Sequence, residues 1–175
     1  MAFDKRPVEP EKLDSLFSAA MWAPSANNSQ PWRYIYVTTD HPRYAAVFEL
    51  LAEGNKAWAK TAPVLAISIA QVISDYKDRR NFYAFYDTGM SVGNLLIQAT
   101  HLGLFVHQMG GYDRDRARDV FGIPERFEPL AMMAIGYKGD PGLLDESIAS
   151  RETEVRTRNK VSEHVFMGSW GGDQK

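Results

Sequence analysis

Residues 24–32, PSANNSQPW, connect the first predicted helix to the first predicted strand. Small polar side chains are concentrated here between two prolines, which restrict both ends of the loop. Ser25, Asn28 and Gln30 supply hydrogen-bond donors and acceptors, as a site needs in order to recognise the edge of a planar heteroaromatic ring. The same composition is typical of an ordinary polar turn whose side chains bond to the backbone. The residues of the loop alone leave both interpretations open.

Hydrophobic periodicity predicts helices and strands on both sides of this loop. A helix from Pro10 to Trp22 has apolar residues at three- and four-residue spacing, and Ala23-Pro24 should end it. Further helices are predicted over residues 42–51, 55–60 and 83–102, and from an N-cap at Asp113 to residue 121. The helix over 83–102 has an apolar stripe formed by Met90, Leu95, Ile97 and Ala99. Strands are predicted over residues 32–38, 63–72, 104–109 and 130–137, and a mobile loop over 74–80. These elements indicate one domain over residues 1–150.

The chain changes character after Asp140, becoming charged and then glycine-rich. This part is too short and too polar to build its own core, yet it contains Val165, Phe166, Met167 and Trp170. We therefore expect residues 151–175 to form an extension that packs on a partner subunit.

Composition excludes several classes of function. The chain has 175 residues with Lys+Arg 20 and Asp+Glu 22, so it lacks the basic excess expected of a nucleic-acid-binding protein. It has no cysteine, and its four histidines are scattered, so we expect no disulfide and no metal site. The N-terminal residues are unlike a secretory signal and no apolar run could span a bilayer, which predicts a cytoplasmic protein without a membrane partner.

Two glycine-containing segments are candidate ligand contacts. Gly54-Asn55-Lys56-Ala57-Trp58 contains Asn55, which also fits a helix cap. Gly110-Gly111 follows a predicted strand, where paired glycines let backbone N–H groups approach a ligand, although an ordinary β-turn would also use them. Neither a G-x-G-x-x-G dinucleotide motif nor a phosphate loop occurs in the chain.

A basic pair lies in the extension. Arg156 and Arg158 would point the same way in an extended chain and form a fork for a phosphate dianion, although many such runs are solvated surface.

Taken in order, these segments resemble the nitroreductase family of FMN-dependent oxidoreductases. The resemblance covers nearly the whole chain and is carried by Ala23-Pro24-Ser25, Asn28-x-Gln30-Pro31-Trp32, Gly54-Asn55-x-x-Trp58 before Ala62-Pro63, Gly93-Asn94-Leu95-Leu96, Met109-Gly110-Gly111-Tyr112, Gly122-Ile123-Pro124, Ala134-Ile135-Gly136-Tyr137 and Arg156-Thr-Arg158. The proline-bounded loop is its most specific part.

The resemblance implies an α+β fold, with a mostly antiparallel central sheet flanked by helices, and an intertwined homodimer with two FMN sites at its interface. By similarity, one subunit contributes the loop residues Pro24, Ser25, Ala26, Asn28 and Gln30, and the other contributes Asn55, Gly110, Gly111, Arg156 and Arg158. The arginines would hold the phosphate, and a backbone N–H of the glycine pair would face flavin N5.

The chemistry implied is transfer of a hydride from NADH or NADPH through FMN to a nitroaromatic, quinone or similar small acceptor, without a catalytic side chain or metal. The alternatives are an FMN carrier or sensor without efficient NAD(P)H turnover and, ranked lower, a flavin enzyme of another reaction class.

The chain departs from the family pattern at two places. The basic-and-serine arm that precedes the Phe3 segment in relatives is absent, and its last basic position would fall at Met1, so FMN binding should weaken unless Lys5 or Arg6 folds back. Trp58 stands where some relatives have a lysine, so fewer cations near the flavin should lower its potential.

Overall fold

The computed structural model describes residues 2–172, so the expectation for Met1 and the last three residues of the extension lie outside the described part. The elements are α1 (Pro10–Met21), β1 (Trp32–Thr38), α2 (Tyr44–Phe48), α3 (Glu53–Ala59), β2 (Val64–Gln71), α4 (Ala84–His101), β3 (Phe105–Met109), α5 (Arg114–Phe121), β4 (Phe127–Gly136) and α6 (Glu146–Thr153), with short 3₁₀ turns at Ala26–Asn28, Pro141–Leu143 and Val161–Glu163. The four strands form one sheet in the order β1-β2-β4-β3, and each neighbouring pair is antiparallel. The predicted α+β fold with a central antiparallel sheet is confirmed.

The sheet is covered by helices on both faces. β2 lies inside the sheet and is buried along its whole length, which explains its continuous apolar sequence. Alternate strand residues point to opposite sides, so Leu65 and Ile67 pack in the core with α2, α3 and α5, while Val64 and Ala66 pack in the core with α1 and α4.

The observed elements differ from the predicted ones at a few places. β4 begins three residues earlier than predicted and contains Pro129, which the sheet accepts because the β2–β4 register shifts between Ser68 and Ile69. Ile97, expected on the buried stripe of α4, is 73% exposed. The charged tract after Asp140 contains α6, which was not predicted. Its Ile148 and Ala149 pack on the core.

The N-terminus folds back on the end of β4. Phe3 is fully buried and forms a bridge with Lys138, and Asp4 N–H donates to the Tyr137 carbonyl at 3.0 Å. The Arg6 guanidinium lies over the Tyr137 ring at 3.5 Å, so its charge is used in a cation–π contact there. Within the described residues, no helix combines the length and apolarity that crossing a bilayer would require.

The sheet order decides where the predicted site residues lie. β1 and β3 are the two outer strands, separated by three strand spacings, or about 14 Å. The loop before β1 and the glycines after β3 are therefore at opposite edges of the sheet.

Candidate functional site

The loop before β1 has a strained backbone. Asn27, Asn28 and Gln30 have φ of 53°, 54° and 45°, in the left-handed region that residues with a Cβ rarely adopt. Each such residue costs roughly 1 kcal/mol, and strain of this kind tends to occur at functional sites. The Ser25 hydroxyl accepts the Gln30 backbone N–H at 3.0 Å, and the Gln30 amide donates to the Asn28 carbonyl at 3.2 Å.

The side chains of Ser25 and Gln30, two of the three polar groups predicted to bind a ligand, therefore stabilise the loop itself. The exposed Asn28 side chain makes no hydrogen bond within residues 2–172, so its amide is available to an external group. Pro24 and Ser29 are also on the exposed side of the loop.

A polar stripe on α4 holds this loop and the end of α1 in place. Asp87, Ser91, Asn94 and Gln98 recur at four- and three-residue spacing and so lie on one face of the helix. Asp87 accepts the Ala26 N–H at 3.0 Å, while Ser91, Asn94 and Gln98 donate to Ala20 O, Ala19 O and Ser15 Oγ at 2.9, 3.3 and 2.9 Å. Asp87 and Ser91 are buried, so these bonds form where water does not compete for them.

The same stripe also connects to β1. The Tyr34 hydroxyl lies 2.8 Å from Ser91 Oγ, and burial raises the pKa of Tyr34 to about 12, only partly offset by this hydrogen bond. The tyrosine is therefore neutral at physiological pH. It fixes the start of β1 against α4 rather than serving as a proton donor.

At the opposite edge, Asn55 and the glycine pair form a second group. The Asn55 side chain donates to the Gly111 carbonyl at 2.9 Å. The interpretation of Asn55 as a helix cap is wrong: Ala52 is the N-cap of α3, and Asn55 lies inside the helix with its side chain on the glycine turn. A Cβ on Gly111 would lie 3.1 Å from Asn55 Nδ2, whereas a Cβ on Gly110 would meet nothing within 4 Å. Both glycines are exposed, so backbone at Gly110 faces open space.

A cavity of about 560 Å³ lies beside this group and contains a cluster of cations. Its lining includes Asn55, Lys138, Arg151 and Arg156, together with two acidic residues, Glu152 and Glu154. Arg158 is outside this lining; its guanidinium donates to the Thr157 carbonyl at 2.7 Å. The sequence identified Arg156 but not Lys138 or Arg151.

Trp58 and His107 close the base of this cavity. Their ring centroids are 4.2 Å apart, and Trp58 also packs on Phe3 with ring centroids 6.3 Å apart. Burial lowers the pKa of His107, and the positive charge of Arg156 acts in the same direction. Trp58 thus contributes to the core where a lysine would have placed a charge.

The predicted residues therefore form two groups on one chain. Pro24, Ser25, Ala26, Asn28 and Gln30 are at the β1 edge, whereas Asn55, Gly110, Gly111 and Arg156 are at the β3 edge. Sequence reasoning missed Asp87, although the spacing of Asp87, Ser91, Asn94 and Gln98 was a readable signal of a polar helix face. No cluster of metal-ligating side chains occurs among the residues that the structure describes.

Comparison with known proteins identifies one family and a similar solved structure. The model of the family described as Nitroreductase family matches residues 2–137. A crystal structure described as an oxidoreductase containing FMN is 37% identical and covers 98% of this chain and 87% of its own, with a TM-score of 0.92.

Two further proteins are similar to this chain, one in sequence and one in fold. A protein of Methanothermobacter thermautotrophicus, provisionally named an NADH dehydrogenase/NAD(P)H nitroreductase, is 31% identical over 150 residues, covering 82% of this chain and 74% of its own. A nitroreductase family protein from Streptococcus pneumoniae is 21% identical, covers 94% of this chain and 92% of its own, and has a TM-score of 0.74, which supports the fold.

Proposed function

The chain belongs to the nitroreductase family, and from this membership we propose that it is an FMN-dependent oxidoreductase that takes electrons from NADH or NADPH and reduces nitroaromatics, quinones or similar small acceptors. The observation that carries the proposal is the relative with 37% identity over 98% of this chain, which is described as containing FMN. Bound FMN supplies the redox chemistry, because its ring can take up a hydride and release it to an acceptor.

The residues present fit FMN in three respects. The unpartnered Asn28 amide suits the polar edge of the ring, since it offers both a donor and an acceptor. The open backbone at Gly110 lets N–H groups approach the ring without an intervening Cβ. The cavity beside Asn55 has three cations, Lys138, Arg151 and Arg156, against the two acidic residues Glu152 and Glu154, and this excess of positive charge suits a phosphate group. Arg158 would join them if the extension rearranged around the bound phosphate.

We propose that each FMN site is shared by two copies of the chain. The two groups of candidate residues are at opposite edges of a sheet whose outer strands are about 14 Å apart, and in one copy they adjoin different cavities. A two-fold axis would bring the β1 edge of one copy to the β3 edge of the other.

Exposed apolar residues support the same assembly. In the extension, Met167 and Trp170 are 94% and 95% exposed, and on α4 Phe85, Tyr86 and Ile97 are also exposed. Such a concentration of exposed apolar side chains is unusual on a monomer and suits burial against a second copy. The extension would then lie on the partner, as the sequence predicted.

In the proposed dimer, the chain's own residues bind and orient the reactants. Asp87 holds the loop that presents Asn28, and Asn55 holds the glycine turn. Both contacts are hydrogen bonds that hold backbone segments in place.

The proposal is tested by the visible spectrum of the purified protein during anaerobic titration with NADH and, separately, with NADPH. We expect bound FMN whose visible absorbance is bleached by at least one nicotinamide and restored by a nitroaromatic or quinone. A protein that neither contains nor takes up FMN would contradict the proposal. Bound FMN that neither nicotinamide bleaches would identify a carrier or sensor instead.

A further inference from the structure

A cavity of about 750 Å³ adjoins the Asn28 loop and is distinct from the cation-lined cavity at the β3 edge. One wall is formed by Ala26, Asn27 and Ser29, and the opposite wall by the segment between β2 and α4. The cavity therefore opens beside the proposed edge of the FMN ring. A small acceptor needs such a position, because it must reach the ring to be reduced.

The segment between β2 and α4 is a closed hairpin. Ser74 N–H donates to the Arg79 carbonyl at 2.8 Å, Asn81 N–H donates to the Val72 carbonyl at 2.8 Å, and Ile73 forms a bridge with Arg80. These backbone contacts fix the positions of Arg79 and Arg80, both of which line the cavity. The sequence predicted a mobile loop here and gave no sign of this closure.

The acidic and the basic residues of the hairpin make different contacts. Asp75 and Asp78 both bind Arg126, at 3.1 and 3.0 Å, on the side of β4. Within residues 2–172, Arg79 and Arg80 form no ion pair; Arg80 lies over the Phe82 ring at 5.7 Å. Asp75, the carboxylate among the described lining residues, is paired with Arg126, so Arg79 and Arg80 bring to this lining two positive charges that have no ion-pair partner within residues 2–172.

Aromatic rings complete the lining. Tyr76, Phe82 and Tyr83 line the same cavity and are all exposed; Lys77 Nζ lies over the Tyr76 ring at 5.0 Å and the Arg80 guanidinium over the Phe82 ring at 5.7 Å. Exposed aromatic rings of this kind can pack against a planar ligand. Guanidinium groups bind carboxylates through paired hydrogen bonds, and their contacts are directional. The combination suits a ligand that has an aromatic ring and an anionic substituent.

We propose that this cavity selects acceptors in which an aromatic ring carries a carboxylate, with Arg79 and Arg80 binding the carboxylate and the aromatic side chains stacking on the ring. This inference rests on the proposed function, and it narrows the acceptor class. Arg79 and Arg80 are then specificity-determining residues, while the cofactor is held elsewhere.

The first test is the ratio of kcat/KM for para-nitrobenzoate to that for the neutral para-nitrobenzamide, with saturating NADH and flavin-loaded protein. Comparing this ratio between variants cancels the intrinsic difference in reactivity between the two acceptors. We expect R79Q/R80Q to lower the ratio by at least about tenfold, because it removes the charge-assisted hydrogen bonds of both guanidinium groups to the carboxylate. The control is K60Q, which removes an exposed positive charge at the end of α3, outside the cavity lining, and should leave the ratio unchanged.

A second measurement does not depend on turnover. Calorimetric titration of the purified protein with benzoate should give a dissociation constant that rises about tenfold in R79Q/R80Q and stays unchanged in K60Q, whereas binding of benzamide should be the same in all three proteins. If this result is obtained while NAD(P)H fails to bleach the flavin, the proposed function fails and the cavity assignment stands.

Two results would overturn the inference while leaving the proposed function intact. One is an unchanged nitrobenzoate-to-nitrobenzamide ratio and an unchanged benzoate affinity in R79Q/R80Q. The other is an increase confined to the KM for NADPH, which would assign the two arginines to the donor's phosphate groups.

Discussion

Asp87 is a buried carboxylate whose oxygen accepts the backbone N–H of Ala26, 61 positions earlier in the chain. The bond joins α4 to a loop that contains three residues in left-handed conformations, so the loop depends on this contact from outside itself. In the proposed site, Asp87 is therefore a positioning residue for the loop that presents Asn28.

We predict that D87A weakens FMN binding by about tenfold and lowers stability by roughly 1–3 kcal/mol, because the partly buried Ala26 N–H no longer has an acceptor. D87N retains an acceptor oxygen and should keep FMN affinity within about threefold of wild type. Titration of flavin-free protein with FMN, followed by quenching of flavin fluorescence, measures the affinity, and thermal unfolding measures the stability. Wild-type FMN affinity in D87A would show that the loop does not need this bond.

Gly110 and Gly111 are neighbours with different surroundings. A Cβ on Gly110 meets nothing within 4 Å in this chain, so G110A should leave the melting temperature almost unchanged. If the FMN ring lies over this backbone, the added methyl should nevertheless weaken FMN binding by about tenfold. G111A is the comparison: its Cβ would lie 3.1 Å from Asn55 Nδ2, so it should lower both stability and FMN affinity. Unaltered FMN binding in G110A would remove this turn from the site.

At the scale of the elements, β3 and α3 are joined by the contact between His107 and Trp58, whose ring centroids are 4.2 Å apart. Burial lowers the pKa of His107 below its ordinary value of 6.5, so the unfolded chain binds this proton more tightly than the folded one. The resulting stabilisation is fully present above pH 6.5 and is lost as the pH falls through the folded-state pKa.

We therefore predict that the melting temperature of the wild-type protein falls as the pH is lowered from about 7 to about 5, and that H107Q shows a smaller fall because its side chain does not titrate. Thermal unfolding monitored by circular dichroism over this pH range measures both slopes. Equal slopes in the two proteins would assign the acid sensitivity to other groups.

The sequence predicted the helices and strands in which apolar residues alternate or recur at regular spacing. The bounds of β1, Trp32–Thr38, agree with the prediction because Pro31 and the alternating aromatic and β-branched residues delimit it. α6 was missed because it buries only a few side chains against the core and its remaining residues are polar. The start of β4 was missed because a proline inside a central strand argues against that strand, and only the irregular register with β2 makes it possible.

Part of the candidate site was predictable because it lies in short continuous segments. The loop at 24–32 is one such segment and the glycine pair is another, and the composition of each can be read directly from the sequence. Asp87, Lys138 and Arg151 show no distinctive pattern in the sequence. The fold places Asp87 beside the loop, and Lys138 and Arg151 in the lining of the cavity beside Asn55. Their roles depend on contacts between distant parts of the chain, which local patterns do not record.

At the scale of the whole molecule, the central proposal is that two copies build each FMN site. In this proposal the Asn28 group of one copy meets the Arg156 group of the other, because one chain holds the two groups at opposite edges of its sheet. This arrangement makes a prediction that a site within one chain does not share, because two different defects placed on different copies can complement each other.

The most direct test is co-expression of an N28A chain and an R156A chain with different affinity tags, followed by purification of the mixed dimer and measurement of its bound FMN and NADH-driven turnover. Each homodimer should have two defective sites. The mixed dimer should have one site with both defects and one intact site, and so should recover about half of the wild-type activity per dimer. Activity in the mixed dimer no higher than the average of the two homodimers, or a mixture in which only monomers are found by sedimentation, would contradict the shared site.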